Sequence, residues 1–520
     1  MNLKIKLLMS KNFYIITPIY YPSAKPHMGH AYSSIIADFF ARIKRIQGYN
    51  VFFLTGTDEH GQKIQRAAEK ANKDPLKFCD EISKTFKDLS STLNLSNNDF
   101  IRTTENRHFK SVENLWNILE KKKEIYLSKY SGWYSVSDEA FYTDDEIENI
   151  NGKKISKSSG STVEWVEEES FFFKLSKWQE PLLKFYSDNP KFILPETRKN
   201  EVISFVKSGL KDLSVSRKSF SWGIKVPSNK DHVIYVWLDA LTNYLSALNY
   251  PNENDEKFKE FWPADLHLIG KDILRFHAVY WPAFLLAADI KPPKRVYGHG
   301  WILSGDEKMS KSKGNILDPI EIINNYGLDP LRYYLLKEVS FGNDGNISKD
   351  KLESCINSDL ANNYGNLCQR VITFCEKNIG LEIPKFNTFN EDDLSILNNF
   401  DNNLKKLDQE INNQNINFYV EFVVDQLFKA NKYFNDQAPW GKKDEPDRLK
   451  TIVYVSLELI RKISILLYPI IPNTSLKVLN IFSINENEIK FDSIGNNEYL
   501  KPKNKILKLD ILFKKIEKND

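Results

Sequence analysis

The chain reads as an α/β protein followed by an α-helical bundle, with a parallel sheet split by an inserted domain. Three observations predict this. Short apolar runs alternate with helical periods near the N-terminus, and do so again after about residue 225. Residues 121–224 break that rhythm with polar turns and aromatic, strand-like pieces. From about residue 361 the long segments carry a helical period. Strand, loop, helix, repeated, is the pattern of a parallel sheet with crossover helices.

The elements follow in order. NFYIIT at 12–17 is β-rich and stops at Pro18, as a buried strand does. After the loop PIYYPSAKPHMGH, Ala31, Ile35, Ile36, Phe39, Phe40, Ile43 and Ile46 recur at helical spacing, with Gly48 as cap. VFFLTG at 51–56 is a second buried strand, DEHG breaks the chain, and 62–71 is a helix. GWYSV, EAFYT and SFFFKL are the strands of the insertion. The α/β rhythm then returns with HVIYVW as a strand, LDALTNYLSAL as a helix, DLHLIG as a strand, ILRFHAVYWPAFLLAA as a helix and KRVYGHG as a strand. WILSGDEKMSKSKGN is a hairpin arm entering a Lys-rich loop. The segments LANNYGNLCQRVITFCEKN, ILNNFDNNLKKLDQEI, NFYVEFVVDQLFKANKYFNDQ and LKTIVYVSLELIRKISILLYPII form a bundle. ILKLDILFKKIEK is an amphipathic tail packing back on the protein.

Composition excludes several classes. At 520 residues the chain is too long for one core. A balance of 72 basic against 69 acidic residues leaves a net charge of +3, so any nucleic-acid contact must be local. Cys79, Cys355, Cys368 and Cys375 form no C-x-x-C pair, which argues against a disulfide framework or a zinc site. MNLKIKLLMS is too short for a secretory signal and has no Arg for a transit peptide, and no apolar run spans a bilayer. The expectation is a soluble cytoplasmic protein.

Two motifs carry chemistry. His27-Met28-Gly29-His30 follows the first strand and opens a helix, where open α/β sheets bind ligands. Gly29 permits close approach, and His27 and His30 can donate to phosphate oxygens at a helix N-terminus. Lys308-Met309-Ser310-Lys311-Ser312 offers mobile ammonium groups for phosphates. Taken singly, the first also reads as two structural histidines and the second as a solvated loop.

Together, in this order, HMGH and KMSKS resemble the class I aminoacyl-tRNA synthetases. TPIYYPSAKPHMGHAY, FLTGTDEHGQKIQRAA, YVWLDALTNY, HLIGKDILRFHAVYWPA and GHGWILSGDEKMSKSKGN are similar to the methionyl-tRNA synthetase family in particular, over roughly residues 12–450. The resemblance implies a Rossmann-type catalytic domain in two halves (11–120 and 225–302) around a connective insertion (121–224). A stem-contact region (303–360) and an anticodon-binding helical domain (361–520) would follow. It also implies ATP with Mg²⁺, methionine and methionine tRNA, initiator and elongator, as ligands. His27, His30, Lys308 and Lys311 would be catalytic. ATP would meet His27, Gly29, His30, Arg217, Gly270, Asp272, Lys308, Ser310 and Lys311.

Asp58 would take the α-ammonium of methionine. Ile19, Tyr21, Trp237, Ala240, Tyr244, Ile273 and His277 would surround its side chain, since a polarizable thioether suits aromatic walls. The anticodon would lie at Asn366, Arg370 and Trp440, through stacking and base-edge contacts. Each has a plainer alternative: core packing for Trp237 and Tyr244, a surface residue for Arg217 or Arg370, a buried plug for Trp440. SKYSGWYSVSDEAFYTDDE carries Ser or Tyr where many relatives have zinc-binding cysteines, so no zinc is expected. The chain also stops near the end of the helical domain, so a monomer is expected. A small-molecule nucleotidyltransferase and a silent tRNA-binding descendant are the rival readings.

Overall fold

The computed structural model describes residues 11–150, 152–304, 307–308 and 318–517. It divides into two compact units, one of Asn12–Ala37 with Val51–Gly300 and another that includes Asp38–Asn50 and Trp301–Asp520.

The first unit is built on a six-stranded sheet in the order Asp99–Arg102, Asn50–Thr57, Asn12–Ile16, Leu266–Gly270, Val296–His299, Ile193–Leu194. Four of its pairings have a resolved register, and all four are parallel. Such strands are covered on both faces, which is why they are continuous apolar runs rather than alternating ones. Tyr14, Ile15, Ile16, Phe53 and Leu54 are fully buried. The edge strand Ile193–Leu194 lies within the segment expected to be inserted, yet it pairs with Val296–Tyr297. Two residues are too few to show as a strand in sequence. The separate part of the insertion is the antiparallel sheet around Ile125–Ser135 and Glu164–Phe173. Its face is aromatic: Phe141 lies 4.5 Å from the Tyr130 ring and 4.9 Å from that of Tyr134.

Three expected elements differ. HVIYVW is a strand only to Ile234, and helix Val236–Leu241 begins as the amides of Leu238 and Asp239 turn back to the Tyr235 carbonyl. LDALTNYLSAL is not one helix; it breaks at Thr242 into Val236–Leu241 and Asn243–Ser246. ILRFHAVYWPAFLLAA opens with a 3-10 turn and a wide π-type turn at Phe276–Tyr280 before helix Trp281–Ala287. Pro282, which has no N–H to give, sits in the first turn of that last piece.

The second unit holds the bundle Asn366–Asn378, Glu391–Asn412, Ile416–Gln437, Pro446–Leu467 and Pro472–Ile481. Pro446–Leu467 is its axis, buried almost throughout. Helical structure starts before 361, because Pro319–Tyr326, Leu328–Glu338 and Lys349–Cys355 belong to the same unit. The tail adopts no helix. It lies extended along Asn366–Asn378 and the turn before it: Lys508 pairs with Glu376 at 2.8 Å, Phe513 approaches Gly365, and Asn357 makes two hydrogen bonds with the Ile516 backbone. No described helix is long and apolar enough to cross a membrane.

Candidate active site and anticodon face

The first strand ends at Ile16, and Tyr20 bridges to Thr57 before helix Met28–Ile46 begins. His27 and His30 stack at that helix start with ring centroids 3.8 Å apart. The His27 backbone N–H donates to His30 Nδ1 at 3.0 Å, and the Gly29 N–H donates to His27 Nδ1 at 3.1 Å. With both Nδ1 atoms accepting, each neutral ring carries its proton on Nε2, as a donor. Burial, then His27 and Lys63, push the His30 pKa well below its ordinary value, so His30 is neutral here. A Cβ on Gly29 would lie 3.0 Å from the His27 ring.

Across the sheet, Gly270 and His299 are register partners at two strand ends. A Cβ on Gly270 would meet Asp272 Oδ1 at 2.6 Å, so the glycine leaves room for Asp272 to fold over that strand end. Asp272 itself is exposed. His299, overlooked in the sequence as part of a strand, shares a 2.8 Å hydrogen bond with the Ser33 hydroxyl and stands edge-on to Tyr32. Its place in GHG at a strand end was the available signal. Arg217 stands on the short strand Ser216–Arg217. It is buried, pairs with Glu168, donates to Ser219 and lies 4.0 Å over the Tyr134 ring. Its burial sets aside the plainer alternative of a surface residue, and its Nη1 has no hydrogen-bond partner among the described residues. Lys308 closes a short hairpin through its backbone, and Ser310 and Lys311 lie outside the described residues.

The expected methionine residues do converge. Trp237 stacks on Phe276 at 3.7 Å and donates from Nε1 to the Glu139 carbonyl. The His277 Nδ1–H donates to the Ile273 carbonyl at 3.0 Å, leaving Nε2 to accept from the Tyr244 hydroxyl at 2.8 Å. Burial holds the His277 pKa down at about 4, so the ring is neutral at physiological pH. Ala240 is buried, while Ile19, Tyr21 and Ile273 are half-buried against the same core. Asp58 is 2% exposed, and its Oδ1 has no hydrogen-bond partner. Burial first, then Asp239 and Glu139, raise its pKa well above the usual carboxylate range.

Around Asp58 lie residues that sequence reasoning passed over. Glu59 accepts from Arg102 through both oxygens, and also from Thr57, Ser83 and Thr104. Asp239 bridges His60 at 2.7 Å and His108 at 2.6 Å. Gly61 takes φ +102° so that the chain can turn straight into helix Gln62–Lys70. Among the described residues no group of three or more His, Cys, Asp or Glu side chains is placed to hold a metal.

In the second unit, Asn366 and Arg370 are one turn apart on helix Asn366–Asn378. Arg370 lies 5.5 Å over the Phe434 ring and donates to Asn435 at 2.6 Å. Trp440 meets the same Phe434 edge-on at 6.0 Å and is 48% exposed, so it is not a buried plug.

Residues 13–372 match the family model described as tRNA synthetases class I (M). Residues 383–520 match the anticodon binding domain of methionyl tRNA ligase. A methionine–tRNA ligase of Rickettsia conorii is 48% identical over 513 residues, covering 98% of this chain and 100% of the relative. Methionine–tRNA ligase 1 of Bacillus cereus is 49% identical over 471 residues, covering 88% of this chain and 71% of that one. A solved structure of Mycobacterium tuberculosis methionyl-tRNA synthetase in complex with methionyl-adenylate superposes with a TM-score of 0.94 at 43% identity, over 97% of this chain and 99% of the other. The chain belongs to the methionyl-tRNA synthetase family, the ATP-dependent methionine–tRNA ligases.

Proposed function

We propose that the chain activates methionine at the Asp58–Tyr244–His277 pocket and charges methionine tRNA read at the Asn366–Arg370–Trp440 face. The methionine carboxylate attacks the α-phosphorus of ATP, the α–β anhydride bond breaks and pyrophosphate leaves; Mg²⁺ accompanying the nucleotide would neutralise charge on the phosphates. A ribose hydroxyl of the terminal tRNA adenosine then attacks the acyl carbon, the mixed-anhydride bond breaks and AMP leaves. No protein nucleophile enters either step, so the residues act by orientation and by stabilising charge. His27 and His30 offer Nε2–H donors to the phosphates at a helix N-terminus, where the dipole favours anions. Lys308, Ser310 and Lys311 supply charge and hydrogen bonds to the ATP phosphates, and Gly270 with Asp272 serves the ribose. Trp237, Ala240, Tyr244, Ile273 and His277 enclose the thioether, with Ile19 and Tyr21 at the rim. Asp58 pairs with the α-ammonium. In this reading the protein is a cytoplasmic monomer without zinc, serving initiator and elongator tRNAs.

The carrying observation is the partnerless Asp58 oxygen. A buried carboxylate oxygen without a donor is costly unless a ligand supplies one. Asp58→Asn removes a charge-assisted hydrogen bond that contributes about 1.5–3 kcal/mol, so the KM for methionine in pyrophosphate exchange should rise about 10- to 150-fold. An unchanged KM in a folded variant would remove Asp58 from the ammonium site.

A further inference from the structure

His267 stands on the strand Leu266–Gly270, with its backbone N–H bonded to the Arg295 carbonyl. Its side chain is fully buried, and neither Nδ1 nor Nε2 has a hydrogen-bond partner among the described residues. Its ring lies 4.5 Å from that of Tyr244, inclined at 62°, and 6.2 Å from that of His277. Those are the two residues joined by the 2.8 Å hydrogen bond in the methionine pocket. Trp281, also fully buried, stands 6.2 Å from Tyr244.

An imidazole is an expensive filler for such a place. Burial and the nearby His277 hold it neutral, with its pKa pushed well below the ordinary value. A neutral ring still has one N–H to give and one lone pair to fill, and a phenyl ring would occupy similar space with neither need. Buried polar groups are nearly always paired, so one that is unpaired beside a ligand pocket is a candidate for contact with the ligand. The substrate brings a sulfur at this end, a weak acceptor that an aliphatic chain of equal length lacks. Without a ligand, the Tyr244 hydroxyl is bonded to His277 and the His277 Nδ1–H to Ile273.

We propose that His267 is a specificity-determining residue that presents a hydrogen-bonding group, directly or through one buried water, to the thioether end of the bound amino acid. This rests on the assignment of the Tyr244–His277 pocket to the methionine side chain. Its effect is discrimination: methionine gains from the contact, and norleucine, with CH₂ in place of sulfur, leaves the imidazole unpaired. A site built to hydrogen-bond its substrate rejects the analogue that cannot reciprocate.

The test is tRNA-free pyrophosphate exchange with methionine and norleucine, comparing kcat/KM ratios. His267→Phe should narrow the methionine preference about three- to tenfold, the range of one modest hydrogen bond. His267→Asn, which keeps a donor and an acceptor, should retain part of it. His267→Leu serves as the apolar variant if the phenylalanine overpacks, and melting curves confirm that each protein is folded. Tyr244→Phe is the control for the pocket itself. A ratio unchanged in the apolar variants but altered in Tyr244→Phe would overturn the role of His267 alone. A ratio unchanged in all of them would overturn the pocket assignment as well. Loss of activity toward both amino acids in equal proportion would reduce His267 to packing.

Discussion

Asp239 is fully buried and joins two histidines whose chain positions are far removed from its own, one 179 residues away and the other 131. Desolvation opposes its charge, but His60 and His108 more than offset this and bring its pKa down to about 2. A carboxylate whose folded pKa is depressed contributes stability that is present above its unfolded value, near 4, and lost as pH falls through about 2. Asp239→Asn should therefore lower stability at neutral pH by about 1.5–3 kcal/mol per hydrogen bond weakened. It should also flatten the loss of melting temperature between pH 4 and 2, and a variant with wild-type acid sensitivity would show that another group governs that limb. Such long-range pairs explain why the sequence disclosed the site only in part. Asp58, Trp237, Tyr244 and His277 could be singled out because short motifs carry them. Asp239, His60 and His108 were not, because three-dimensional proximity and not local pattern defines their role. The partners of Arg217, Glu168 and Tyr134, were hidden for the related reason that they lie on other strands of the insertion.

Helix Asn366–Asn378 shows what an element adds to its residues. Sequence placed Asn366 and Arg370 on it, but not the extended tail along its length, whose amphipathic pattern reads equally as helix. The tail stays extended because its backbone is claimed elsewhere, at Lys503 and Ile506 by the strand-like stretch Leu381–Ile383 and at Ile516 by Asn357. Between Arg370 and Trp440 stands Phe434, and nearly half of Trp440 remains open to solvent. Trp440→Ala thus deletes an exposed ring face rather than a core plug. Stacking of a base on such a face contributes about 1–3 kcal/mol, so aminoacylation efficiency should fall roughly 5- to 150-fold. Pyrophosphate exchange without tRNA should hold steady, and the melting temperature should move little. Normal charging of methionine tRNA by the variant would take Trp440 out of the anticodon face.

At the scale of the whole chain, the division between units falls in the middle of helix Met28–Ile46, after Ala37. Sequence could not reveal this, because Ile35, Ile36, Phe39, Phe40 and Ile43 form one apolar stripe with a single period. The second half of that helix has its own set of partners in the helical unit. Phe39 meets Tyr419 edge-on at 5.2 Å, and Phe40 lies 6.1 Å from Phe341. Asp38 Oδ2 accepts from Arg42 at 2.8 Å and from the fully buried Arg332 at 2.7 Å, while Arg332 also donates to the Pro469 and Ile470 carbonyls. Burial lowers the Arg332 pKa, and Asp38 is the leading group opposing that. Removing one partner of a buried ion pair costs about 3–5 kcal/mol, because the remaining charge stays buried. Asp38→Ala in the full chain should therefore loosen the helical unit selectively. Amide exchange should accelerate in 328–338, 416–437 and 446–467, and remain slow in the sheet strands 50–57 and 266–270. Because His27 and His30 open the same helix, pyrophosphate exchange measured on the variant reports whether loosening reaches the phosphate site. Exchange that accelerates equally in both units would mean that they unfold as one and that Asp38 has no special tie to the helical unit.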